Sequence, residues 1–112
     1  MSFDRSDLVR AVIHEWGHGT TAMALGYAFI FLRVEYRDGG LEGLTRWWGD
    51  APPREEAMVT VAGYCAECMV IDHIMPTIDG MRHADSCQYD WNNVKDYPNL
   101  QNIMDEVYIL LK

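Results

Sequence analysis

The segment 11–20 contains the run His14-Glu15-Trp16-Gly17-His18, in which two histidines are four residues apart. In a helix, positions i and i+4 lie on the same face, so both imidazoles can bind one metal ion. Glu15 then lies about 100° around the helix from His14, within reach of a water molecule on that ion. This arrangement is typical of zinc hydrolases, in which zinc lowers the pKa of its water and the glutamate takes the proton. The alternative is a surface helix that carries these residues without metal.

The composition indicates one globular domain over residues 1–112, because 49% of the residues are hydrophobic. The net charge of −8 argues against nucleic acid and anionic membranes as partners. No apolar run approaches the roughly 20 residues of a membrane span, and the first residues show no signal-peptide pattern. Three cysteines, an odd count, do not suggest a disulfide framework, so we expect a cytoplasmic protein.

The residue pattern predicts an α+β fold, mainly α, with about four helices and one β-hairpin between helix one and helix two. Helix one is expected from about Asp4–Asp7 to Leu25, with Ser2, Asp4 and Ser6 as possible N-caps. Its apolar residues cover much of the circumference, which predicts burial on several sides. Gly17 and Gly19 each lower helix propensity by up to about 1 kcal/mol. Glycine here is explained if another segment closely approaches the helix.

The hairpin is predicted from two strand-like segments, 28–37 and 41–48, joined by the turn signal Asp38-Gly39-Gly40. Two interpretations remain open for it. The hairpin either covers helix one or offers one strand edge to an extended peptide. Helix two is expected to begin at Pro53 and to reach about Ile74, ahead of Pro76.

The last part of the chain is predicted to contain a loop over residues 77–83 and two further helices. Helix three is expected to begin at Asp85 or Ser86, with Asp85 and Gln88 forming a capping box. Helix four is expected from about Pro98 to Leu111. Its buried stripe is predicted to contain Leu100, Ile103, Met104, Val107 and either Leu110 or Leu111.

A catalytic zinc ion takes a third protein ligand and leaves its fourth position to water. Segment 19–26 contains no further histidine, so this ligand must come from farther along the chain. Glu67 and Asp90 are the acidic candidates. Glu67 is expected in the middle of an apolar helix, where its carboxylate must be paired or bind metal. Asp90 has no capping role if Asp85 or Ser86 caps helix three.

The three cysteines allow a second, structural interpretation. Cys65 and Cys68 form a C-x-x-C pair, and a structural zinc site would need Cys87 and either His73 or His83 as further ligands. Buried free cysteines are the alternative, because cysteine is common inside helical cores. The two histidines flank a loop and are expected to be solvated.

Three segments, in order, carry a family resemblance: His14 to Gly19 (HEWGHG), Ala62 to Glu67 (AGYCAE) and Ser86 to Asp90 (SCQYD). They resemble the H-E-A-G-H-A, G-G-R-A-A-E and G-A-x-N-D segments of the FtsH-type, membrane-anchored AAA+ zinc proteases. The resemblance implies a zincin-like FtsH-peptidase-type domain in which substrate aligns on an edge of the hairpin. In the implied site, the metal ligands are His14, His18 and Asp90, the general base is Glu15, and Glu67 supports a histidine ring from behind.

The expected function is therefore that of a zinc-dependent metallopeptidase acting on peptide or protein substrates. The chain has no Walker A sequence and no membrane anchor, both of which the family carries. We therefore expect it to cleave accessible peptides, to act with a partner ATPase or as a homo-oligomer, or to keep the fold without the activity. Two alternatives remain: a non-catalytic metal-binding or interaction module, and a metal-dependent hydrolase of other substrates.

Overall fold

A computed structural model describes residues 5–112, so the possible caps Ser2 and Asp4 lie outside the described residues. The described chain is mainly helical with one hairpin after the first helix, which confirms the predicted fold class, although it has five α-helices rather than about four. None of these helices is both long and apolar enough to cross a membrane. In chain order, the elements are α1 (Arg5–Ala24), β1 (Ala28–Arg37), β2 (Gly40–Trp48), α2 (Pro53–Glu67), α3 (Ile78–His83), α4 (Gln88–Val94) and α5 (Leu100–Leu111).

The hairpin forms where the strand-like segments and turn residues predicted it. Strands β1 and β2 pair antiparallel, with Leu32 opposite Thr45 and Val34 opposite Gly43. The connecting residues Asp38 and Gly39 both have positive φ angles, 52° and 82°, as a two-residue hairpin turn requires. Both strands contact α1. The hairpin therefore covers one side of the helix that carries the two histidines.

The backbones of helices α1 and α2 are in close contact, because α1 has glycine where the two helices cross. A Cβ atom on Gly17 would lie 2.4 Å from the carbonyl oxygen of Ala62 in α2. A Cβ atom on Gly19 would lie 2.7 Å from the ring of Phe29 in β1. The expectation that another segment approaches helix one at its glycines is thus confirmed for both positions. Any larger residue at position 17 would push the two helices apart.

The predicted burial of α1 on several sides is confirmed where the helix meets α2 and the hairpin, and is wrong for one exposed side. Val9, Val12, Trp16 and Met23 are exposed along one side of the helix. Helix α1 packs against α2 and the hairpin through the side that carries its small residues, because these let the neighbouring elements come close to the backbone of α1. The residues that α1 buries are His14, Glu15, Gly17, His18, Gly19, Thr21 and Ala22.

The apolar core lies between α2 and the C-terminal helices. Helix α2 is buried continuously from Ala57 to Glu67, apart from the half-buried Thr60. The three cysteines contribute to this interior as buried free thiols. The predicted stripe of α5 is confirmed at its first four positions, whereas Leu110 is exposed and Leu111 is partly buried; the buried residues are Leu100, Ile103, Met104 and Val107.

The segment after α2 is more helical than its sequence indicated. Helix α2 passes into a π-helical turn, Cys68–Asp72, which ends at His73 with a φ of 54°, short of the expected Ile74. The predicted loop over residues 77–83 is wrong, because α3 lies there. Thr77 caps α3 by accepting a hydrogen bond from the backbone N–H of Gly80 at 2.9 Å. A six-residue helix is too short for hydrophobic periodicity to reveal.

The predicted capping box ahead of α4 is also wrong. Asp85–Cys87 forms a 3₁₀ turn, and α4 begins at Gln88 without a side-chain cap. The Gln88 amide instead donates to the carbonyl oxygens of Arg82 and Ala84, both at 2.9 Å. Ser86 donates its hydroxyl to Glu67. Contacts outside the predicted box, one of them with α2, therefore use the side chains of Ser86 and Gln88.

Candidate metal centre

Helix α1 places the two histidines side by side, as their spacing predicted. The ring centroids of His14 and His18 are 4.7 Å apart, and the ring planes meet at 80°. Both residues are buried. Their Nε2 atoms face the same carboxylate oxygen, Oδ2 of Asp90 in α4, at 2.8 Å from His14 and 3.1 Å from His18. The fold thus brings together three residues from opposite ends of the chain.

The opposite ring nitrogen of each histidine is held by a separate acceptor. His14 Nδ1 lies 2.6 Å from Oε2 of Glu67, and His18 Nδ1 lies 2.6 Å from the carbonyl oxygen of Val59. When each Nδ1 carries the proton and donates it to these acceptors, the lone pair of each neutral ring is on Nε2. Both lone pairs then point at the position next to Asp90. Such hydrogen bonds fix the orientation of metal-binding histidines.

Glu67 lies behind His14, at the edge of the ring away from Asp90. Its side chain is 2% exposed and accepts hydrogen bonds from Arg10 at 2.7 Å and from Ser86 at 2.9 Å. Arg10 also pairs with Asp72 at 2.7 Å. Burial raises the pKa of Glu67, but hydrogen bonds from His14 and Arg10 outweigh burial and lower it. Glu67 is therefore an ionised carboxylate that holds the ring of His14.

Gly63 in α2 leaves the space that the ring of His14 occupies. A Cβ atom on Gly63 would lie 2.6 Å from both Nε2 and Cε1 of that ring. The ring is also held at its two nitrogens by Glu67 and Asp90, so it has little freedom to move away. Glycine at position 63 therefore determines where the imidazole can lie.

Glu15 lies beside the two histidines and is held from the hairpin. It is 8% exposed, and ligand atoms of His14, Glu15 and His18 all lie within 4.8 Å of one another. Thr45 in β2 donates its hydroxyl to Oε1 of Glu15 at 2.7 Å. The other carboxylate oxygen lies over Gly43, where a Cβ atom would approach it to 2.3 Å. The carboxylate thus lies next to the histidine pair.

The ring of His14 lies between the carboxylates of Glu67 and Asp90, and these contacts shift pKa values at the site. Burial lowers the pKa of His14, but the hydrogen bond to Asp90 and those to its other partners outweigh burial and raise it to about 12. Burial raises the pKa of Asp90, but the hydrogen bonds from His14 and His18 bring it well below its usual range. A proton on Nε2 of His14 therefore occupies the position, between imidazole and carboxylate, that a metal cation would take.

The donor set suits zinc. Two imidazole nitrogens and one carboxylate oxygen are a ligand combination of catalytic zinc sites, which keep a fourth position for water. With metal–ligand distances of about 2.1 Å, tetrahedral ligands are roughly 3.4 Å apart. The distances of 2.8 Å and 3.1 Å between Asp90 and the rings are a few tenths of an ångström shorter. Asp90 is therefore close enough to both rings to share one ion with them.

The candidate ligands lie at the base of an open cleft of about 1170 Å³. One wall is β2, which contributes Leu44, Thr45 and Trp47. The described residues form a sheet of two strands only, so the outer edge of β2 has no ladder partner. Strand β2 and the histidine pair therefore line the same cleft.

The cysteines are not grouped in the way that the C-x-x-C spacing suggested for a structural zinc site. Among residues 5–112, the second group with ligand atoms within 4.8 Å is His14, Glu67 and Cys87, and it excludes Cys65 and Cys68. The sulfur of Cys87 lies 3.4 Å from Glu67 Oε2 and 3.9 Å from His14 Nδ1. These contacts are behind the His14 ring, where Glu67 already accepts its proton. His73 and His83 are exposed, as expected.

Five further residues shape the site and were not identified from the sequence: Arg10, Gly43, Thr45, Val59 and Gly63. Arg10 is one helical turn before His14, so the i−4 position was an available signal for a shared face. Thr45 and Gly63 act on Glu15 and His14 from other elements, and Val59 acts through its backbone carbonyl. No local pattern marks such contacts, since they depend on how the elements pack.

Comparison with protein-family models and with curated proteins gives no match to this sequence.

Proposed function

We propose that this chain is a zinc-dependent metallopeptidase-like hydrolase of the zincin type, resembling the FtsH peptidase domain. One observation carries the proposal. The Nε2 atoms of His14 and His18 converge on one oxygen of Asp90, while their Nδ1 atoms are held by Glu67 and by the carbonyl of Val59. This is the donor arrangement that a three-ligand zinc site needs, with Glu15 beside it.

In the proposed reaction, His14, His18 and Asp90 hold the zinc ion, which when bound polarises the scissile carbonyl and lowers the pKa of a water molecule. Glu15 accepts the proton of the attacking water and passes it to the leaving amine. Glu67 keeps the proton of His14 on Nδ1, so that Nε2 remains available. The buried position of Glu15 next to both rings supports this assignment.

The proposed substrate is an extended peptide or an unfolded protein segment. Strand β2 lines the cleft and pairs with β1 alone among the described residues, and strand addition to it would supply backbone hydrogen bonds whatever the peptide sequence. We also propose a partner ATPase or a homo-oligomer, as the resemblance to the FtsH-type proteases implies. We further propose a cytoplasmic location, supported by three free, buried cysteines.

Metal content is the first test. We expect close to one zinc per chain in protein purified without chelator or added metal, measured by elemental mass spectrometry. His14→Ala and His18→Ala should each lose most of it, since one imidazole and one carboxylate make a poor site. His83→Ala is the matched control, because His83 is exposed outside the cleft, and it should keep its zinc. Full zinc in a double variant of His14 and His18 would refute the site.

Hydrolysis is the second test, with an internally quenched peptide library as substrate. Glu15→Gln should retain zinc and fold but lose cleavage, because the amide has nearly the same volume and cannot accept the proton. Glu106→Gln, on α5, is the control and should remain active. Zinc binding without peptide cleavage would favour the non-catalytic module, and cleavage of other ester or amide libraries alone would favour a different hydrolase.

A further inference from the structure

The hairpin contacts the proposed general base directly. Thr45 Oγ1 lies 2.7 Å from Oε1 of Glu15 and 3.0 Å from the backbone carbonyl oxygen of the same residue. A hydroxyl has one proton, and a charged carboxylate is the stronger of the two acceptors. Glu15 is therefore held at its side chain by a residue of β2, an element that α1 meets only through tertiary packing.

A second position on the same strand shapes the space for this carboxylate. Gly43 is two residues from Thr45, so both positions face the same side of β2. A Cβ atom on Gly43 would lie 2.3 Å from Oε2 and 2.7 Å from Cδ of Glu15. The carboxylate thus has Thr45 bonded to one oxygen and bare backbone beneath the other. Two residues of one strand together select its orientation.

We propose that Thr45 is a positioning residue that holds the carboxylate of Glu15 in one orientation, in a space left open by Gly43. The inference rests on the proposed function, in which Glu15 takes a proton from water. A glutamate side chain has three rotatable torsions, and a base must lie within hydrogen-bond reach of the proton that it removes. A misplacement of about 1 Å can lower a rate about 100-fold.

The orientation of the base also depends on the strand that would bind substrate. Thr45 and Gly43 both lie on β2 and both line the cleft. A peptide added to β2 would fix the strand, and β2 fixes Glu15 through Thr45. Productive binding and the placement of the base would then be coupled through one short strand.

Kinetics of Thr45 variants test the role in zinc-loaded protein. Thr45→Val keeps the shape without the hydroxyl and should lower kcat about 10–100-fold, with KM and zinc affinity within about twofold of the parent values. Thr45→Ser retains the hydroxyl and should recover kcat to within about threefold. Thr20→Val, on α1 outside the cleft, is the matched control. An unchanged kcat for Thr45→Val, or an equal loss for Thr45→Ser, would overturn the proposal.

Gly43→Ala tests the space beneath the carboxylate. The added Cβ would displace Glu15, so kcat should fall while zinc remains bound. Gly40→Ala is the control in the same strand, because a Cβ there would meet nothing within 4 Å. Equal kcat values for the two alanine variants would count against a role for the open space.

A thermal double-mutant cycle tests the contact without relying on activity. Thr45→Val should lower the melting temperature of the parent protein by clearly more than it does in a Glu15→Ala background. Additive shifts would overturn the positioning proposal. If the parent protein cleaves no peptide, the peptidase proposal fails, and the cycle still decides whether Thr45 holds Glu15.

Discussion

Oε2 of Glu67 lies 2.6 Å from Nδ1 of His14, on the side of the ring opposite Asp90. This contact gives the two acidic candidates different positions relative to one imidazole. Glu67 faces the nitrogen that donates its proton, and Asp90 faces the nitrogen that would bind metal. The geometry therefore favours Asp90 over Glu67 as the third ligand.

The relationship predicts different losses of zinc affinity for the two acids. Asp90→Ala should weaken zinc binding far more than Glu67→Gln, because it removes a direct ligand. Glu67→Gln should weaken it about 10–100-fold, as expected for a residue that orients a ligand from behind. Competition titration with a chromophoric chelator measures both. Asp96→Ala, on the exposed segment after α4, is the control, and a reversed order would move the third ligand to α2.

Gly63→Ala should damage the site through His14. The new Cβ would lie 2.6 Å from the ring, which Glu67 and Asp90 hold at both nitrogens. Overpacking of this kind costs about 1–3 kcal/mol. We expect a lower free energy of unfolding by urea titration, together with weaker zinc binding. Parent-like values for both quantities would show that the ring has room to move.

The stability of protein stripped of metal should fall as pH rises above the ordinary histidine range. The folded state raises the pKa of His14 from 6.5 to about 12, so it keeps a proton that the unfolded chain loses. This stabilisation is complete below about pH 6.5 and declines towards higher pH. Urea unfolding at several pH values, compared between the parent and His14→Ala, measures the contribution. A difference that grows with pH would contradict the assignment.

Zinc binding should have the opposite pH dependence. Zinc must displace the proton from Nε2 of His14, so its apparent affinity should weaken as pH falls. Peptidase activity should decline in parallel on acidification. Calorimetry in buffers of different ionisation enthalpy should detect a released proton near pH 7. Zinc binding without proton release, or activity that rises steadily down to pH 5, would contradict this prediction.

The charge of the cleft predicts a preference among peptide substrates. Asp7, Glu56 and Asp85 line the cleft, whereas Arg10, the one arginine or lysine among its described lining residues, is paired with Glu67 and Asp72. Peptides with lysine or arginine beside the scissile bond should therefore have a lower KM than matched glutamate peptides. Salt should reduce the difference, because exposed charges are screened. Equal KM values at low salt would show that the carboxylates do not contact substrate.

Several parts of the fold followed from local sequence. The i, i+4 spacing of His14 and His18 needed only a helix to place both rings on one face. The positive φ angles of Asp38 and Gly39 are those of the turn that their residue types favour. The buried stripe of α5 followed from its 3.6-residue period. Each of these signals arises from contacts within a few residues, which any chain with the same local sequence would make.

Elsewhere, long-range contacts overrode local preference. Ser86 was a candidate for a helix cap, yet its hydroxyl bonds Glu67 at the end of α2. The apolar residues of α1 indicated burial on several sides, yet the helix packs through its glycines. In both cases a partner from another element competes for the same side chain or surface, and no local pattern contains that partner.

The sequence by itself determined the pair of histidines and the adjacent acid, and these residues are the basis for predicting zinc. Only the tertiary structure decided which distant carboxylate meets Nε2, which one holds Nδ1, and that Thr45 contacts the base. The physical reason is geometric. Asp90 and Glu67 are both acids that are able to bind zinc. They differ in which nitrogen of the buried His14 ring they face: Glu67, in α2, faces Nδ1, and Asp90, in α4, faces Nε2.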